Sequence, residues 1–137
     1  AHAAIVGHIM GLPMGYVRSG AKDHGRGNRI EGKLERGARV VVIEDLISTG
    51  GSVIEVVEAL REAGAIVLGV ASIFTYGMKK GLDRLREAGV ENHSLTNFDE
   101  IAKIAAETGY IERGDVAKLI KFRDNPADES WMNHTAP

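Results

Sequence analysis

The chain has no cysteine among its 137 residues. That removes disulfides, thiolate metal sites and a cysteine nucleophile together, and it fits a reducing compartment. No apolar run approaches the roughly 20 residues that a membrane helix needs, so no membrane segment is expected. The formal net charge is only -2. With no broad basic face and no helix-turn-helix pattern, neither nucleic acid nor an anionic membrane is implied as a partner. His2, His8, His93 and His134 stand at no metal-ligand spacing and are read as structural. Internal repeats and low-complexity segments are also missing. What remains is an ordinary globular composition, 44% apolar and 26% charged, in a length that suits one domain with a sizeable core. The chain opens at Ala1 without methionine and without a signal peptide, in a stretch that already reads as mid-helix. Residues preceding it are therefore expected.

The patterning alternates between helical and extended periods. Residues 1–10 read as a helix stopped by Gly11-Leu12-Pro13, and residues 14–17 as a short strand. Residues 18–39 differ in character. Glycines recur at 20, 25, 27, 32 and 37, and seven basic side chains face three acidic ones. Apart from Ile30 and Leu34, little there can be buried. This predicts a mobile excursion or hairpin. Val40-Val41-Val42-Ile43 is an unbroken β-branched run. It suits a strand covered on both faces, as in a parallel sheet. Val53, Val56, Val57 and Leu60 then form an apolar stripe at helical spacing, ended by Gly64, and residues 66–74 read as the next buried strand. This strand, helix and strand have the size of one βαβ crossover. Helices are predicted over 82–88, 99–108 and 114–123, with a short strand at 92–95. Ile101, Ile104 and Ala105 fall on one side of one helix, and Val116, Leu119 and Ile120 are expected to face inward on another. The alternation argues an α/β fold with a mostly parallel central sheet flanked by helices.

Chemistry concentrates at Glu44-Asp45-Leu46-Ile47-Ser48-Thr49-Gly50-Gly51-Ser52. Glu44 and Asp45 are placed at the C-terminal end of the buried strand, outside which ligands bind in open α/β sheets. The glycine-rich turn then opens a helix, whose first N–H groups and positive dipole end favour an anion. Two glycines allow close backbone approach, and three hydroxyls add donors. Carboxylates repel phosphate, so the acidic pair makes sense only if the ligand also carries hydroxyls, which carboxylates accept from strongly. A sugar phosphate satisfies both halves. The plainer alternative is that Ser48 or Ser52 merely caps the helix. No lysine follows the glycines as in a Walker loop, and Gly-x-Ser-x-Gly is absent.

The segment VVVIEDLISTGGS, residues 40–52, closely resembles the PRPP-binding signature of type I phosphoribosyltransferases. YVRSGAKDHGRGN, residues 16–28, resembles the mobile catalytic loop of orotate phosphoribosyltransferases, in their bacillus-type form. The resemblance extends over essentially the whole chain, including Ile73-Phe74-Thr75-Tyr76 and the tail at 125–129. It implies one phosphoribosyltransferase domain over residues 1–137, with a mobile loop at about 18–39. It also implies transfer of the phosphoribosyl group from PRPP to orotate, giving orotidine 5′-phosphate and diphosphate. Glu44 and Asp45 would hold the ribose hydroxyls, and Ser48, Thr49, Gly50, Gly51 and Ser52 the 5-phosphate, with Leu46 and Ile47 in the same segment. Ser48 would also touch orotate. Arg18, Lys22 and His24 would grip the diphosphate from the neighbouring subunit of a homodimer, making them the catalytic candidates. Mg²⁺ would be held mainly through PRPP and water, with no direct protein ligand, and the location would be cytoplasmic. Two departures stand out. Ser19 follows Arg18 where many such enzymes have lysine, and residues 73–76 lack an arginine that some relatives place near orotate. Family members also carry an N-terminal segment with base contacts that this sequence does not show. The alternatives are a purine phosphoribosyltransferase and a non-catalytic PRPP-sensing regulator on the same fold.

Overall fold

The computed structural model describes residues 1–18 and 29–133. Helix α1 (His2–Met10) ends as its sequence predicts. Gly11 takes a left-handed φ of 64° and its neighbourhood satisfies the last carbonyls, with Leu12 N–H donating to Gly7 O at 2.9 Å. Strands β1 (Tyr16–Val17) and β2 (Ile30–Glu31) pair antiparallel, Tyr16 opposite Glu31 and Val17 opposite Ile30. They form the base of the hairpin expected over 18–39. Ile30 is buried in the core and Leu34 packs against it, which anchors an otherwise polar segment.

The central sheet has the order β3-β4-β5, all parallel. β3 spans Arg39–Ile47, β4 Ile66–Thr75 and β5 Asn92–Asn97. Helix α2 (Gly51–Glu62) connects the first two strands and α3 (Lys79–Glu87) the next two. α2 buries Val53, Val57, Ala59 and Leu60, and α3 buries Gly81 and Leu85. These join Val42, Ile47, Ala65, Val70 and Val90 in one core.

Several expectations change. β3 does not stop at Ile43. β4 offers a ladder partner as far as Thr75, so pairing continues through Leu46 with Phe74 and Ile47 with Thr75. Glu44 and Asp45 therefore sit inside the strand's last half. Nor is the sheet covered on both faces among the described residues. Val41 is 52% exposed, and Ile66, Leu68, Ile73 and Leu95 are exposed as well. α2 and α3 fill one layer, while α1 lies against β3, and α4 (Phe98–Glu107) lies along β5 and against α5. On α4 the buried residue is Ala102, whereas Ile101 and Ile104 are exposed. Its neighbour α5 (Asp115–Asp124) buries no residue fully, so the stripe has little to face; Val116, Leu119 and Ile120 are half-buried. Asn97 caps α4, its side-chain oxygen accepting from Glu100 N–H at 3.0 Å. Arg123 of α5 donates to Asp99 of α4 at 2.8 Å and to Tyr76 O, just past β4, at 3.4 Å. A 3₁₀ turn, Glu129–Asn133, follows. The expected packing of Trp131 lies outside the described residues.

The α2 stripe carries the layer that positions the β3 turn. Leu60→Ala should therefore destabilise the fold by about 2–5 kcal/mol, the usual range for truncating a buried leucine. Denaturant unfolding would measure it.

Candidate functional site

At Ile47 the buried strand ends, and the chain turns through Ser48, Thr49 and Gly50 into α2. Ile47 is only 2% exposed, so its side chain belongs to the core and only its backbone can meet a ligand. Gly50 is the N-cap residue, with φ 76° and ψ 0°. A side chain is strained at that φ, which is why glycine stands there. No side chain caps this helix. The plainer reading of Ser48 and Ser52 as caps is therefore not realised.

The turn is left with uncommitted donors. Among the described residues, the backbone N–H groups of Thr49, Gly50, Gly51 and Ser52 donate to no protein acceptor. The first pairing is Ile54 N–H to Gly50 O at 3.1 Å. Helix starts normally satisfy such donors with a cap, water or a ligand. Here they converge with the positive end of a twelve-residue helix, an arrangement suited to an anion. The turn's carbonyl side is occupied instead: Arg84 of α3 donates from Nη1 to Thr49 O at 2.8 Å. No sequence signal pointed to Arg84, which lies 35 residues further along the chain.

Next to this turn are the two carboxylates. Glu44 Oε1 accepts from Asp45 N–H at 3.0 Å, and Asp45 Oδ1 from Leu46 N–H at 2.7 Å. Each keeps lone pairs for further donors. Burial, reinforced by the neighbouring Asp45 carboxyl, holds the Glu44 carboxyl above its ordinary range. The hydrogen bond with Glu44, aided by the Leu46 N–H, holds Asp45 below its own. A proton added to the pair therefore goes to Glu44. Leu46 is 44% exposed between the pair and the turn.

A cleft of about 430 Å³ opens beside Ser48 and Thr75 and runs to Asn92, Ser94 and Asn97. Two of its polar lining residues are tied to each other and to the buried Ser72 behind them: Ser72 Oγ donates to Asn92 Oδ1 at 3.0 Å and lies 2.5 Å from Ser94 Oγ, and Asn92 Nδ2 donates to Ser94 Oγ at 2.8 Å. At the end of β4, Phe74 meets Tyr76 edge-on with centroids 5.0 Å apart, and Tyr76 tilts over Phe98 at 5.5 Å. This stack occupies the segment singled out at 73–76.

Arg18 stands at the hairpin base. Its N–H donates to Arg29 O at 2.8 Å, and its Nε pairs with Glu31 at 3.1 Å. Arg29 reaches Glu55 of α2 at 3.5 Å, linking the hairpin base to that helix. Lys22 and His24 lie outside the described residues. Among the described residues, no group of three or more His, Asp or Glu is arranged to hold a metal.

The family profile described as Phosphoribosyl transferase domain matches residues 3–110. The chain belongs to this family. It is 56% identical over 132 residues to the orotate phosphoribosyltransferase of Bacillus cereus (strain G9842), covering 96% of this chain and 63% of that protein. The chain thus spans less than two thirds of that relative's length. Among solved structures it is similar to the orotate phosphoribosyltransferase from Aeropyrum pernix, at 31% identity with a TM-score of 0.66, over 80% of this chain and 59% of that one. It is also similar to Mycobacterium tuberculosis orotate phosphoribosyltransferase in complex with PRPP, at 28% identity and TM-score 0.52, over 66% of this chain and 53% of that one. The parallel α/β architecture is thus the type I phosphoribosyltransferase fold.

Family membership and geometry together give a pH expectation. Because Glu44 is held high, it loses its charge first as pH falls, and with it a strong acceptor for sugar hydroxyls. Ribose 5-phosphate binding should weaken from pH 7 towards pH 5 more steeply in the unsubstituted protein than in Glu44→Gln. Calorimetric titration of both proteins isolates Glu44 from the phosphate's own ionisation near pH 6. At neutral pH the substitution should cost about 1.5–3 kcal/mol, the worth of a hydrogen bond to a charged group. Parallel pH curves for the two proteins would contradict the assignment.

Proposed function

We propose that this chain forms the PRPP-binding part of an orotate phosphoribosyltransferase, folded as one phosphoribosyltransferase domain. The observation that carries the reading is a turn whose amides, those of Thr49, Gly50, Gly51 and Ser52 among them, are uncommitted, shortly beyond two adjacent carboxylates. The similarity to orotate phosphoribosyltransferases at 56% identity supports the choice of base.

In this reading the amides of Thr49, Gly50, Gly51 and Ser52 hold the 5-phosphate, and their fixed orientation removes the need to reorganise on binding. Glu44 and Asp45 accept from the ribose 2- and 3-hydroxyls, orienting the ring and its anomeric carbon. Ser48 lies where the turn meets the cleft and contacts orotate. A ring nitrogen of orotate forms the new bond to the anomeric carbon as the bond to diphosphate breaks, and the proton of that nitrogen passes to the departing diphosphate or to solvent. No protein nucleophile is required. The transition state is oxocarbenium-like, so charge grows on the leaving group. Lys22, with Arg18 and His24, neutralises that charge, acting from the neighbouring subunit of a homodimer. The glycine-rich loop excludes water that would hydrolyse PRPP.

Mg²⁺ belongs to this reading as an ion carried largely by the substrate. The residues present fit that role, since the Glu44 and Asp45 carboxylates keep oxygen lone pairs of the hard kind that Mg²⁺ and its bound oxygens favour. Glu44 and Asp45 would meet it through the ribose oxygens they hold. When bound, it supplies charge neutralisation on the diphosphate. The reaction would serve cytoplasmic UMP synthesis.

The test is loss of orotate absorbance on mixing the full-length protein with PRPP, Mg²⁺ and orotate. Turnover with orotate and none with adenine or hypoxanthine is expected; the reverse would favour a purine enzyme. Lys22→Ala should lower turnover by about 10²–10³, the usual loss for one such donor. Unchanged turnover in that variant would remove the loop from catalysis. Light scattering should give a dimer mass.

A further inference from the structure

The phosphate turn is held from behind by α3, and the contact is unusually close. At Gly81 an added Cβ would lie 2.5 Å from Ser48 O and 3.6 Å from the carbonyl carbons of Ser48 and Thr49. A Cβ at Gly50 would lie 3.4 Å from Gly81 Cα, so two glycines face each other across the helix–turn junction. One turn further along α3, Arg84 donates to Thr49 O at 2.8 Å. Its Nη1 would also be 3.3 Å from a Cβ at Gly51. Every residue of the turn's middle is therefore touched by the same two α3 positions.

The contact has an electronic side as well. Thr49 C=O and Gly50 N–H belong to one peptide unit. A cationic donor on the carbonyl oxygen polarises that unit and strengthens the N–H on its opposite side, one of the four uncommitted donors. The same bond fixes the plane of the peptide, so that the N–H is aimed before the ligand arrives. The backbone at φ 76° could otherwise relax, since glycine has a wide choice of conformations.

We propose that Gly81 and Arg84 form a clasp on α3 that positions the turn for the 5-phosphate, with Arg84 a positioning residue for phosphoribosyl binding rather than for catalysis. This rests on the reading of the turn as a 5-phosphate cradle. It goes beyond that reading by assigning residues outside the signature segment, on the neighbouring helix α3.

The experiment uses full-length protein with Arg84→Ala, Arg84→Lys and Gly81→Ala. Ribose 5-phosphate affinity is measured by calorimetry, PRPP and orotate KM and kcat by the orotate assay, diphosphate by product inhibition, and folding by thermal unfolding. Arg84→Ala should weaken ribose 5-phosphate and raise the PRPP KM by about tenfold, as expected for one charge-assisted hydrogen bond. The kcat, the orotate KM and diphosphate inhibition should stay within about twofold, because those steps do not use the 5-phosphate grip. Arg84→Lys should recover most of the loss, since the contact is a single N–H to one carbonyl. Gly81→Ala should raise the PRPP KM further; if it unfolds the protein, the two Arg84 variants still decide. The clasp is overturned if Arg84→Ala leaves ribose 5-phosphate affinity unchanged, if all kinetic constants move together, or if lysine does no better than alanine. If the unsubstituted protein fails to bind ribose 5-phosphate at all, the cradle reading falls first and the clasp with it.

Discussion

The central constraint in this molecule is that the first amides of α2 have nowhere to go inside the protein. A helix N-terminus normally recruits its own serine or threonine, and three hydroxyl residues stand within reach in sequence. None caps it. Gly50 takes the capping position in a left-handed conformation, and among the described residues the donors that follow find no acceptor before Ile54. Everything around the turn can be understood as holding that arrangement. β3 delivers it at the end of a nine-residue strand, locked into register with β4 up to Ile47. Val53 and Val57, essentially without exposure, fix the first turns of α2 in the core. α3 closes in from the carbonyl side.

The acidic pair follows from the same geometry. Neighbouring strand residues point to opposite faces, yet each carboxylate here bends back to the next backbone N–H in the chain. That self-contact keeps both side chains near the strand's end and orders their ionisation, with burial raising Glu44 and hydrogen bonding lowering Asp45. Acceptors therefore precede donors along the chain, in the order that the proposed binding of a sugar phosphate requires.

Much of this could be read before any coordinates. The β-branched run at 40–43, the glycine turn and the stripe Val53, Val57 and Leu60 all report local polarity, and local polarity sets element type. The βαβ unit, the helix stops at Gly11 and Gly64 and the buried Ile30 followed from that. What escaped was pairwise. The extra length of β3 depends on how far β4 runs beside it, which no residue of β3 records. Gly50 as N-cap could not be told from Ser48 or Ser52, because all three are good capping types. Arg84 and Gly81 read as an ordinary charged residue and an ordinary small one on a polar helix; only proximity to Thr49 and Ser48 gives them meaning. Ile101 and Ile104 have helical spacing, but spacing says nothing about whether a neighbour is there to cover them. Lys22 and His24 rest on the resemblance of their segment alone.

The exposed apolar residues along the three strands have a practical side. Val41, Ile66, Leu68, Ile73 and Leu95 put branched aliphatic surface directly against water, on a backbone already in extended conformation. Surfaces of that kind lower colloidal solubility and reward self-association as concentration rises. A preparation of these 137 residues would therefore be governed in the test tube less by the stability of its βαβ core than by how dilute it is kept and how much salt it meets.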